Sequence, residues 1–321
     1  MLIRPEIETL RGDDAPQRLA QQALHDIMAG WRGEAGVAPA LRELSAFAAW
    51  KPLSECPALA ALFDDGGDAA RTFAGRFVTL AAGGLSAWPL AHLPPRHFHD
   101  DLLSTLVLAR EGNVTLSIVA MDGAALAARP RAASAGFWPG EAWEVILAGS
   151  GQALLVDARE ADEREAPLVS RSLTLSPGRL ICRNAARQAL IPQAIAGTLV
   201  SLRLQRRQEG AGVAREYDLA SGRLVHQAAG NPRDSRIELM IAMLARMKRR
   251  EAAPLMADIA CGDASAPLRW QALRECLALD TATGFAALCR AAGRADDPLA
   301  VPAGALRAQL IEAHPRLAEL A

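Results

Sequence analysis

Glu144-Val145-Ile146-Leu147-Ala148-Gly149-Ser150-Gly151-Gln152-Ala153-Leu154-Leu155-Val156 is the stretch on which the reading of the fold turns. Two apolar runs of strand length flank three small residues. The pattern predicts two strands joined as a hairpin, with Gly149-Ser150-Gly151 as the turn. The surroundings have the same texture. Residues 113–120 alternate as a strand should, and Met121-Asp122-Gly123 follows as a turn. Leu173-Thr174-Leu175 leads into the turn signal Ser176-Pro177-Gly178, and residues 179–182 and 198–204 supply two more runs. Many short strands with regular turns predict a β-sandwich or barrel over residues 90–207.

Outside that region the apolar period changes. Residues 15–31 place Leu19, Ala23, Leu24, Ile27 and Met28 on one helical face, and residues 37–50 repeat the pattern. Pro52 and Pro57 interrupt the chain, and shorter helical stretches follow at 58–63 and 69–82, the second closed by Gly83-Gly84. Residues 208–234 read as a linker, opening on Gln208-Glu209-Gly210-Ala211-Gly212. Beyond it Ser235-Arg236-Ile237-Glu238 has the form of a capping box, with Ser235 as N-cap. About four or five helices with short connections then run to the end, a pattern that suits stacked helical hairpins. The expected organisation is an N-terminal helical segment (1–89), a β domain (90–207), a linker (208–234) and a C-terminal helical domain (235–321).

At 321 residues the chain is long enough for two domains. Its formal net charge of -1 gives it no bulk attraction to nucleic acid or to an anionic membrane. Five widely spaced cysteines without a Cys-x-x-Cys predict reduced thiols rather than a disulfide framework. No apolar run approaches the length of a membrane span, and the charged N-terminus, Met1-Leu2-Ile3-Arg4-Pro5-Glu6, lacks a signal-peptide core. The expectation is a cytoplasmic protein.

The central region resembles the cupin family of small β-barrels. The resemblance rests on residues 139–151 and 175–184: Glu144 and Gly151 keep the spacing of the first cupin motif, and Pro177-Gly178 keeps the turn of the second. It implies an α+β chain built on a cupin-like antiparallel β-barrel, with helices before and after it. In that family two histidines precede the glutamate and a third follows the Pro-Gly turn, and together they hold a metal. Here the paired slots fall on Phe137 and Pro139, or one residue on at Trp138 and Gly140, and the last falls near Ala189. None of these side chains ligates a divalent ion.

Three constellations could carry function. In Arg96-His97-Phe98-His99-Asp100-Asp101, an extended backbone would project His97, His99 and Asp101 to one side, as a first shell for a divalent metal such as iron or zinc. The competing reading is a polar loop whose histidines are solvated or cap a helix near Asp100. Glu144 could be a buried acid or base, or could pair with Arg183 or Arg203. Phe137, Trp138 and Trp143, with Glu144 and Arg183, could line a pocket for a small apolar ligand, or plug the barrel. Arg203, Arg206 and Arg207 read as a solvated rim, and the cluster Arg246, Lys248, Arg249, Arg250 as cations at a helix C-terminus.

The functional expectation is a non-catalytic binding or regulatory protein on a degenerate cupin barrel, without cofactor. Its C-terminal helices would meet a protein partner, and the resemblance allows a homodimer. The alternative is a metal-dependent oxygenase or isomerase acting on a small organic substrate through His97 and His99.

Overall fold

The computed structural model describes residues 12–159, 164–208, 212–230 and 232–320. These form two compact units, the first taking in residues up to 135, 140–159 and 166–207, the second 136–139, 164–165 and the described residues from 208 on. The chain is α+β, with antiparallel sheets. Among the described residues no helix is long and apolar enough to cross a membrane.

The first unit opens with helices α1 (Ala15–Gly33), α2 (Ala38–Ala48), α3 (Pro57–Ala60) and α4 (Asp68–Ala87). Prolines sit in the first turns of α1, α2 and α3, where the missing N–H costs nothing. The expected stop at Gly83-Gly84 does not occur; α4 runs through it. Gly84 serves packing instead, since a Cβ there would stand 2.5 Å from the Leu24 side chain of α1.

Strands β1 (His97–His99), β2 (Leu103–Glu111) and β3 (Val114–Asp122) lead into the short helix α5 (Gly123–Ala128) and strand β4 (Ser134–Phe137). Then come β5 (Gly140–Ala158), β6 (Leu168–Leu175), β7 (Leu180–Asn184) and β8 (Gln188–Arg207). The large sheet has the order β1-β2-β3-β8-β5-β6, with β7 also paired to β5. No pairing among the described residues closes this sheet into a barrel.

The predicted hairpin at Gly149-Ser150-Gly151 is instead the middle of one strand, β5. It pairs with β8 from Gly140 opposite Arg207 to Asp157 opposite Gln188. The register slips between Ala148 and Ser150, which marks a bulge. Gly149 takes a left-handed φ of +83°, and a Cβ there would lie 2.2 Å from the Thr198 carbonyl oxygen of β8. The glycine bends a continuous strand because only glycine tolerates both the dihedral and the approach. Along its other edge β5 pairs with β7 over Glu141–Val145 and with β6 over Gly151–Ala158.

Strand alternation divides the sheet's side chains. Val145, Leu202 and Leu204 face the helices and share a core with Trp31, Phe47, Leu59, Phe73 and Phe77. Ile146, Ile181 and Leu199 face the other way and pack with Ala153, Leu173 and Leu175.

The second unit holds a small sheet ordered β10-β9-β4, whose strands β9 (Val213–Asp218) and β10 (Leu224–Ala229) fall within the stretch read as a linker. Glu209, Gly210, Ala211 and Asn231 lie outside the described residues. Helices α6 (Pro232–Arg246), α7 (Ala253–Cys261), α8 (Ala266–Leu279), α9 (Thr281–Ala292) and α10 (Ala300–Ala313) follow. The expected N-cap Ser235 lies inside α6, where its hydroxyl donates to the Ala229 carbonyl at 3.4 Å, because the helix begins at Pro232. Ile241, Met256, Leu268, Leu273, Cys276, Phe285 and Leu288 centre the helical core. Arg269, buried among them, donates to the Ala260 carbonyl at 3.0 Å and ion-pairs with Asp297.

Candidate functional site

Glu144 sits in the first half of β5, on the side of the sheet turned away from the helices. The register sets Arg203 of β8 opposite it on one edge and Ile181 of β7 on the other. Residues directly opposite in an antiparallel ladder share a face. Ser201 and Arg183 stand two residues along their strands from those partners, so they join the same face. The sequence alternation that buries Leu202 and Leu204 under the helices therefore aims Ser201 and Arg203 at the carboxylate.

The cluster is tight. The Ser201 hydroxyl donates to Glu144 Oε1 at 2.6 Å, and Arg203 Nη2 donates to the same oxygen at 2.8 Å. Arg183 Nη2 approaches Oε2 at 3.7 Å, an ion pair without a hydrogen bond. Glu144 is 3% exposed. Burial opposes its ionisation most strongly, but the charge and hydrogen bond of Arg203, the Ser201 hydroxyl and the charge of Arg183 outweigh burial and hold the carboxyl below its ordinary value. Burial, reinforced by the like charge of Arg203, lowers the Arg183 guanidinium against the pull of Glu144. Glu144 Oε2, Arg183 Nε and Arg203 Nε are all buried without a hydrogen-bond partner among the described residues. Ser117 of β3, opposite Arg203, is buried on the same face.

The other expected residues are dispersed. Trp143 points to the opposite side of β5, where its ring meets Phe47 edge-on at 5.4 Å. Phe137 packs against Tyr217 at 5.9 Å in the second unit, and Trp138 is half-buried there. Phe137 thus belongs to β4 of the small sheet and Trp143 to β5 of the large one. Of the expected ligand set only Glu144 and Arg183 meet.

His97 and His99 do lie on an extended segment, the exposed edge strand β1. His99 Nδ1 is 2.7 Å from the Ser104 hydroxyl. The Asp100 carboxylate accepts from the backbone N–H groups of Leu102 and Leu103 at 2.8 and 2.7 Å, and it starts strand β2 rather than a helix. Asp101 is exposed. Among the described residues no group of three or more His, Cys, Asp or Glu side chains is placed to hold a metal ion, so His97, His99 and Asp101 do not form one.

Nor do the arginines of β8 form a solvated rim. Arg203 belongs to the Glu144 cluster. Arg206, 5% exposed, ion-pairs with Glu141 and donates to the carbonyls of Phe47 at 3.0 Å and Lys51 at 2.9 Å. Its guanidinium lies 4.0 Å from the Phe47 ring centroid and 4.5 Å from that of Trp50. The alternation of β8 was the available signal: residues 203 and 206 fall on opposite faces of a strand with no exposed face there.

No family model matches the chain, and no curated protein matches it. Solved structures of the cupin superfamily are among those it resembles. One is a cupin superfamily protein from Desulfitobacterium hafniense, 15% identical over 35% of this chain and 83% of that one, with a TM-score of 0.23. HutD from Pseudomonas fluorescens is 16% identical over 36% of this chain and 57% of its own length, at a TM-score of 0.25. The DMSP lyase DddQ from Ruegeria pomeroyi is 17% identical, at 43%, 64% and 0.26. The chain thus spans less than two thirds of HutD and of the lyase.

Proposed function

We propose that this chain is a non-catalytic binding protein whose large sheet holds a small ligand on the face turned away from the helices and whose helical unit meets a protein partner. One observation carries the reading: Glu144 is committed to Arg203, Ser201 and Arg183. A general base needs a carboxylate free to take a proton, with a value raised toward neutral pH. This one is held low. A divalent cation does not fit there either. The cluster offers one carboxylate, and two guanidinium groups stand where further oxygen or nitrogen donors would be needed. The positions expected to carry histidines hold Phe137, Trp138, Pro139, Gly140 and Ala189.

The partner half of the reading is supported by α6. Leu239, Met240 and Met243 are exposed along it, and Met247 just past its end, with Arg236 before them and the basic residues Arg246, Lys248, Arg249 and Arg250 around the helix end. A methionine ridge adapts to varied apolar surfaces. The flanking cations favour a partner that carries carboxylates around an apolar segment, and they set like charges together in a symmetric copy of the same helix.

Elemental analysis of untagged full-length protein, with melting curves in zinc, iron(II) and manganese(II), tests the reading. It expects substoichiometric metal and unchanged melting. One ion per chain, lost in Glu144→Gln, would overturn it. Sedimentation expects a monomer; self-association abolished by Met243→Glu would replace the protein partner by a second copy.

A further inference from the structure

The second unit holds a cavity of about 950 Å³ between its small sheet and helices α6, α8 and the start of α10. Arg215 of β9 lines one wall, Glu238 and Leu239 of α6 another, and Trp270 and Arg274, one turn apart on α8, a third. The walls are tied together: Gln271 Nε2 donates to the Glu238 carbonyl at 3.0 Å, and the Ala229 N–H donates to the Glu238 carboxylate.

Charges of both signs line this cavity without meeting. Arg215 is half-buried; among the described residues its guanidinium makes no ion pair and its Nε no hydrogen bond. Arg274 makes no ion pair among them either. Glu238 is half-buried too. Burial pushes its carboxyl up against the Ala229 N–H, Asp234 adds to the rise and His226 opposes it, and neither arginine acts on it. A half-buried charge without a counter-charge carries a desolvation cost that a ligand of opposite charge offsets. Apolar surface stands beside these charges: Trp270 is half-buried and Leu239 is 66% exposed.

We propose that this cavity binds a short peptide of about two or three residues, with free ends and one bulky apolar side chain. Its terminal carboxylate meets Arg215, its terminal ammonium meets Glu238, and its apolar side chain lies on Trp270. The inference goes beyond the two surfaces proposed above and rests on neither, although Leu239 also belongs to the ridge of α6. The occupant follows from the charges. An anion alone would leave Glu238 uncompensated, and a cation alone would leave Arg215 so; a zwitterion answers both. A free amino acid carries its two charges on one carbon, whereas the arginines and Glu238 do not act on one another. A peptide backbone sets the two charges apart. The planar guanidinium fork suits a terminal carboxylate, and the indole offers a broad apolar platform. The volume is that of a small-ligand site and excludes a folded partner.

The test titrates full-length protein with alanyl-phenylalanyl-alanine by calorimetry and follows the indole N–H resonance of Trp270, identified by its loss in Trp270→Phe. The expected result is saturable binding with a saturable shift of that resonance. Acetylating the amino end of the peptide, or amidating its carboxyl end, is expected to weaken binding by about tenfold or more, and free phenylalanine to bind more weakly by a similar factor. Arg215→Gln should lose the discrimination against the amidated peptide, and Glu238→Gln that against the acetylated one. Should either variant not fold, the capped peptides with the unaltered protein decide. No saturable binding, equal binding of a capped peptide or of free phenylalanine, or saturation without a shift at Trp270 overturns the peptide site.

Discussion

A buried carboxylate between two guanidinium groups makes stability depend on all three charges at once. Removing one member of such a set leaves the others desolvated and uncompensated. Glu144→Gln is therefore expected to destabilise the fold by about 3 kcal/mol, read from urea unfolding at neutral pH. The pH dependence has a definite sign. Glu144 ionises more readily folded than at its ordinary value of 4.5, so its contribution is fully present above that value and is lost as pH falls through the lower folded value. Acid unfolding of the unaltered protein should steepen below 4.5, and the Gln variant should show a shallower acid limb. The partners of Glu144 were only partly legible. A glutamate amid apolar residues announces a buried ion pair, and Arg183 and Arg203 were named with it. The hydroxyl of Ser201, 57 residues on, carried no signal because a serine on a strand is unremarkable until the register is known.

At the scale of the element, the long strand β5 shows what local reading cannot separate. Gly149-Ser150-Gly151 has the composition of a turn and also that of a bulge, and the two differ only in what lies across the ladder. The neighbour is the Thr198 carbonyl, which closes on Gly149. Gly149→Ala should cost about 3 kcal/mol, from strained backbone and steric overlap together. Gly197→Ala isolates the first of these, since Gly197 also has a positive φ, +65°, but no atom within 4 Å of the added methyl. It should cost about 1 kcal/mol. Chemical denaturation of the two variants checks the contrast, and equal losses would contradict it. The helices were more legible than the strands because their signal is internal. Residues 15–31 carry their own period, and α1 spans Ala15–Gly33. The run 113–120 alternates, and β3 spans Val114–Asp122. Strand β2 went unread: its apolar residues Leu106, Val107 and Leu108 are consecutive, and its alternation emerges only from pairing with β3.

For the molecule as a whole, the two units differ in how local they are. Among the described residues, the helical core of the second unit is drawn from residues 237–317. A fragment 232–321 is expected to unfold cooperatively by far-ultraviolet circular dichroism, and a non-cooperative melt would refute that independence. The first unit offers no such cut. Arg206 shows why: it reaches from the sheet to the end of α2, where backbone N–H groups of Ala49, Trp50 and Lys51 already close on the carbonyls of Ser45, Phe47 and Ala46. One side chain from β8 donates to the Phe47 carbonyl in the last turn of α2 and to the Lys51 carbonyl just past it, while two rings enclose it and Glu141 balances it. Helical layer and sheet are in this sense riveted at a single point. Any change that loosened α2 would strand a cation within the sheet's apolar flank, so a modest local disturbance there would be transmitted as a cooperative loss and not as fraying.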